Sequence, residues 1–178
     1  MNREQGLIAL AGVPVLALTL SALGAVETGA IIVPAAWTAD RLSLAAGCVA
    51  VLGGVLTLSI WRIALFRFVS DADRPGAGLA GAPGPALRIH LAVLQNTLEQ
   101  TLAAALAYLA FAALAPARLL PLLPLYAGLF VLGRIAFALG YRFGAPGRAF
   151  GFGLTLVPTV TLYALLALWL LAPPASFA

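Results

Sequence analysis

Apolar residues run almost uninterrupted for about 20 positions at a time, repeatedly along the chain. That is the length a helix needs to cross a hydrocarbon core of roughly 30 Å. Backbone placed in such a core must satisfy its hydrogen bonds within itself, which leaves helices or a closed barrel. Barrel strands alternate apolar and polar residues. The runs here are continuous, so the chain is read as all-α, a transmembrane helical bundle. Charge agrees with this. Only 9% of the 178 residues are charged, against about 25% in a soluble domain. So little charge cannot cover a surface facing water.

Five stretches follow from the pattern: Gly6 to Val26, Leu42 to Phe66, Arg88 to Ala115, Leu122 to Tyr141 and Ala149 to Ala172. Pro14 predicts a kink in the first. Pro34 and Trp37 fall in the first connection, and the Gly/Ala/Pro-rich tract Gly76 to Pro85 belongs to a flexible loop that begins at Arg67. Arg142 to Arg148 reads as a turn, and Pro173-Pro174 stops the last stretch. The segment Ser21-Ala22-Leu23-Gly24-Ala25 resembles a leader cleavage region, but the apolar run before it exceeds a leader core. The first stretch is therefore read as a retained helix.

Every basic residue is an arginine. These arginines do not form a dense patch interleaved with aromatics, which argues against nucleic acid. They read as topology determinants. Five crossings put Arg3, Arg67, Arg74, Arg88, Arg142 and Arg148 on one side, with Arg62 nearby, and Arg41 and Arg118 on the other. The richer side is expected to be cytoplasmic, with the N-terminus there. Cys48 is the single cysteine, so no intrachain disulfide forms. It reads as a small buried residue, and no metal site is expected.

Polar side chains inside membrane helices are costly and mark function. The third stretch begins Arg88-Ile-His-Leu-Ala-Val-Leu-Gln-Asn-Thr-Leu-Glu-Gln100. At about 100° per residue, Arg88, Gln95 and Glu99 share one face of the helix and Asn96 lies on the adjoining one. On the next stretch, Arg134 and Tyr141 lie close to alignment, with Phe137 between them. Arg134 sits about two turns into the membrane and needs an anion, and Glu99 is the carboxylate at comparable depth. A structural ion pair is one reading of these two, with Gln95 and Asn96 joining helices. The other is a ligand site. Arg88, Arg134, Arg142 and Arg148 outnumber Glu99, and surplus guanidinium suits a carboxylate ligand. His90 is expected at the interface and not in catalysis. Tyr108, Tyr126 and Tyr163 are expected to pack or to anchor at the interface.

Gln95-Asn-Thr-Leu-Glu-Gln100 on one helix, followed by Arg134-Ile-Ala-Phe-Ala-Leu-Gly-Tyr141 on the next, resembles the MAPEG family, the membrane-associated proteins in eicosanoid and glutathione metabolism, and its bacterial members in particular. The resemblance implies a MAPEG-like four-helix domain over residues 42–178, with residues 1–41 an additional N-terminal helix and connection. It implies a homotrimer, with glutathione between protomers near the cytoplasmic face.

 

The resemblance assigns Asn96, Glu99, Arg134 and Tyr141 to holding glutathione, with Arg148 as the catalytic group that stabilises its thiolate; Arg88 and Gln95 on the polar stripe and Arg142 at its mouth are expected to join them. Members conjugate glutathione to lipophilic electrophiles, reduce lipid peroxides or isomerise lipids. Phe137 departs from a tyrosine often found there, and Ala92 and Gln95 stand at sites that are often basic. The expectation is a glutathione-dependent transferase or peroxidase acting on a lipophilic substrate, in a bacterial inner membrane. The alternative is a non-catalytic scaffold or accessory subunit that keeps the fold. A small transporter is a third reading, with too few polar positions for a continuous pathway.

Overall fold

The computed structural model describes residues 3–31, 40–71, 73–74 and 82–171. Pro34, Trp37, most of the Gly76 to Pro85 tract and the Pro173-Pro174 stop lie outside the described residues. Five helices account for nearly all of the rest: α1 (Arg3–Glu27), α2 (Arg41–Val69), α3 (Pro85–Leu114), α4 (Leu122–Gly140) and α5 (Gly144–Leu171). No strand occurs among the described residues. The chain is an all-α membrane bundle. Four apolar helical stretches are long enough to cross a bilayer, and the last spans Ala117–Leu171. At 1.5 Å per residue that last stretch, if straight, would reach about 80 Å. It instead folds back at Tyr141–Phe143 into the hairpin of α4 and α5.

Helix boundaries follow local chemistry. Asp40 caps α2, accepting from the Leu42 and Ser43 amides and from the Ser43 hydroxyl at 2.5 Å. These bonds, the Ser43 hydroxyl foremost, hold its carboxyl below the usual aspartate range. α3 begins at Pro85, three residues before the apolar pattern suggests, because proline suits the first helical position. α5 likewise begins at Gly144, whose φ of 74° lets the chain reverse after a short 3-10 turn. The expected turn at Arg142 to Arg148 is therefore mostly helix, and Arg148 sits on α5. α1 stays helical through Pro14.

Neighbouring helices are paired by direction. Arg41 at the start of α2 donates to the carbonyls of Ala112 and Ala115 at the end of α3, at 3.2 and 2.6 Å. A cation at a helix C-terminus also opposes the dipole there. Glycines set the α4–α5 approach. A Cβ at Gly147 would lie 2.6 Å from the Gly140 carbonyl, and one at Gly151 2.6 Å from the Gly133 carbonyl. Small residues allow such contact between membrane helices, where packing replaces the hydrophobic drive. The apolar core, including Tyr108, Phe111, Tyr126 and Phe130, fills the half of the bundle near Arg41. The polar residues lie toward the other end, which carries the starts of α1, α3 and α5.

Candidate functional site

Arg134 organises the polar half. It is 4% exposed, and its guanidinium bridges two other helices. Nη1 donates to Asn96 Oδ1 on α3 and Nη2 to Thr155 Oγ1 on α5, both at 2.8 Å. Thr155 can accept because its own hydroxyl proton goes to the Phe152 carbonyl. The rings of Phe137 and Phe130 flank the charge, 4.7 and 5.8 Å from Cζ. Nε has no hydrogen-bond partner among the described residues. The glycine-lined α4–α5 seam makes this reach possible, since Gly133 and Gly151 bring Thr155 against α4.

The expected pairing of Arg134 with Glu99 does not form within the chain. Asn96 faces α4, whereas Glu99 lies three residues on, about 60° further around α3. Glu99 is exposed and accepts from Gln95 Nε2 at 2.9 Å. A neutral amide and a hydroxyl thus solvate the arginine, and the carboxylate faces outward.

Arg134 has only donors, so the Asn96 oxygen must face it. Asn96 also lines a cavity of about 400 Å³ between α3 and α5, together with Ala92, Phe137, Tyr141, Arg148 and Ile8 among others. The volume falls within the range of small-molecule sites, about 300–1,000 Å³. Arg148 lies 4.8 Å from the Tyr141 ring centroid, and Tyr141 meets Phe137 edge-on at 5.7 Å. Among the described residues, no carboxylate lies within ion-pair distance of Arg148. The cavity therefore has a guanidinium and an amide side chain in its lining and no acid.

Of the residues singled out from sequence, Asn96, Tyr141 and Arg148 line this cavity together, and Arg134 stands behind Asn96. Arg88, Gln95, Glu99 and Arg142 are exposed and do not line it. Arg142 lies against the Phe143 ring. Thr155, Ala149, Phe152 and Ile8 were missed. Nothing in an apolar run distinguishes a threonine that accepts from a distant arginine. A second cavity of about 240 Å³ opens between α2 and α4, with Arg62, His90, Thr97 and Arg134 on its walls. His90 sits at 5.2 Å from the Phe66 ring, a packing role. Tyr126 and Tyr163 donate to the Thr19 and Ala103 carbonyls, as packing residues do.

The sequence pattern of the MAPEG family matches residues 44–168. The chain belongs to the MAPEG family. No curated protein and no solved structure matches it. The match spans nearly all of the α2 to α5 bundle and leaves α1 outside. MAPEG proteins are membrane proteins generally associated with glutathione and eicosanoid metabolism, and this chain takes that broad assignment.

Proposed function

We propose that this MAPEG protein is a glutathione-dependent transferase or peroxidase acting on a lipophilic electrophile or lipid peroxide. The observation carrying the reading is the cavity that joins Arg148, Tyr141 and the Asn96 amide without an internal acid. Such a lining suits an anionic tripeptide with two carboxylates and a thiol. Asn96 and Tyr141 orient the peptide. Arg148 places positive charge beside the sulfur, which lowers the thiol pKa and raises the thiolate fraction. In the transferase route the thiolate forms an S–C bond as the leaving group departs with its electron pair. In the peroxidase route the thiolate attacks one peroxide oxygen, the O–O bond breaks to release an alcohol, and a second glutathione reduces the resulting sulfenic acid to the disulfide and water.

We assign the working form as a homotrimer with its N-terminus in the cytoplasm of a bacterial inner membrane. Exposed Gln95 and Glu99 support an assembly, because a carboxylate facing lipid within the membrane is costly. A neighbouring protomer over this face would relieve that cost and let Arg88, Gln95, Glu99 and Arg142 reach the tripeptide. The arginine excess at one end supports the orientation. The second reading, a scaffold or accessory subunit without chemistry, is favoured by Phe137, which offers the cavity a ring and no hydroxyl.

Calorimetric titration with glutathione in lipid nanodiscs, followed by turnover with chlorodinitrobenzene and cumene hydroperoxide, separates the two. Binding with turnover is expected. Arg148→Ala should lower kcat by about 10²-fold, the scale of one lost electrostatic donor, and leave binding nearly intact. An equal loss of both would remove Arg148 from the chemistry, and no binding at millimolar thiol would favour the scaffold.

A further inference from the structure

α1 lies outside the family match, yet it walls the candidate cavity. Ile8 lines it together with Ala149, Phe152 and Arg148 of α5. The attachment of α1 to the bundle is uneven. Its second half is locked in place: Val15 and Thr19 are fully buried, and the Thr19 carbonyl accepts from the Tyr126 hydroxyl at 3.2 Å. Val15 packs on Gly153, where an added Cβ would lie 3.2 Å from Val15 Cγ2. Val26 joins the apolar core. The described residues before Val15 include none that is buried. Leu7 and Ile8 are 46% and 40% exposed.

Seven residues separate Ile8 from the Val15 anchor, about 10 Å along the axis. A helix pinned by its second half thus lays its first half along the side of the cavity. On that side α5 offers mainly Ala145 and Ala149, which leave room. The bulk there comes from Ile8 and Phe152. Isoleucine in a helix is stiff, because its branched Cβ strongly prefers one χ1 rotamer. It carries no polar group, so it contributes shape and nothing to recognition of a charged peptide.

We infer that α1 is a selective wall and that Ile8 decides which lipophilic molecules reach the cavity, admitting slender apolar bodies and excluding wide ones. The inference deepens the glutathione reading and rests on it only for the identity of the second substrate.

The test uses the full chain in nanodiscs with Ala149→Cys as a reporter and Cys48→Ala to remove the native thiol. Labelling rates are compared for N-ethylmaleimide, which is small, and pyrenyl maleimide, which is wide. Ile8→Ala should raise the wide-to-small rate ratio by about tenfold, and Ile8→Trp should lower it, the scale on which apolar pockets discriminate by size. A ratio indifferent to residue 8 overturns the inference whether or not glutathione binds. Calorimetry on Ile8→Ala and Ile8→Trp, each with Ala149 and Cys48 native, gives the second arm. Unchanged glutathione affinity is expected, and its loss would make Ile8 part of the peptide site and overturn a purely selective role. A responsive ratio in a protein that binds no glutathione keeps the wall and removes the glutathione reading.

Discussion

Replacing Arg134 with lysine keeps the charge and removes the fork. Two hydrogen bonds of 2.8 Å hold the guanidinium to helices on different sides of it, and a single ammonium on a flexible stem cannot span both. One bond is lost. Hydrogen bonds to charged groups are worth about 1.5–3 kcal/mol in water-soluble proteins. Double-mutant cycles in a membrane protein average nearer ~0.6 and reach ~1.7 kcal/mol. Arg134 is buried, so repair by water is restricted. Arg134→Lys is expected to cost about 1–2 kcal/mol of stability. The functional effect runs through Asn96. Without a fixed donor on its oxygen, the Asn96 amide is no longer held in one orientation at the cavity wall, and glutathione affinity should fall by about tenfold, equivalent to ~1.4 kcal/mol. Asn96→Ala supplies the other side of a double-mutant cycle, with dissociation constants from calorimetry and unfolding followed in parallel. In the Asn96→Ala background, Arg134→Lys should add little to the loss of affinity, a coupling on the order of 1 kcal/mol. Additive losses would show that Arg134 does not act through Asn96, and the positioning argument would fail.

Gly151→Ala places a methyl group against the Gly133 carbonyl at 2.6 Å and against Phe137 Cα at 2.7 Å. Overpacking of this kind costs about 1–3 kcal/mol, so thermal unfolding in detergent should shift down and the Arg134 bridge should loosen; an unchanged melting temperature would contradict the close seam. The Asp40 cap predicts a pH dependence. Its carboxyl is held below the usual range in the folded chain, chiefly by the Ser43 hydroxyl. The stabilisation is therefore present above the ordinary aspartate range and lost as pH falls through the lower folded value. Asp40→Asn should flatten the acid limb of a melting-temperature profile, and a profile identical to that of the native chain would remove the cap from the account.

Helix number and class were legible because each follows from local chemistry. A residue's transfer into hydrocarbon depends on its own side chain, and a helix closes its hydrogen bonds within one segment. The helix starts at Pro85 and Gly144 were less legible, since a proline or glycine can end an apolar pattern or open a helix. Asn96, Tyr141 and Arg148 were visible as polar or cationic groups in apolar surroundings. Ile8 and Thr155 carried no such contrast.

The apolar runs by themselves determined that this chain is a membrane bundle, and the Asn96, Glu99, Arg134 and Tyr141 pattern pointed to the MAPEG family. Only the tertiary structure decided that Arg134 serves Asn96 and Thr155, partners 38 and 21 residues away, and that Glu99 turns outward. The Thr155 contact depends on how closely α4 and α5 approach at Gly133, Gly140, Gly147 and Gly151. Helical periodicity places a side chain on a face, but the distance between two helices is a property of both surfaces together.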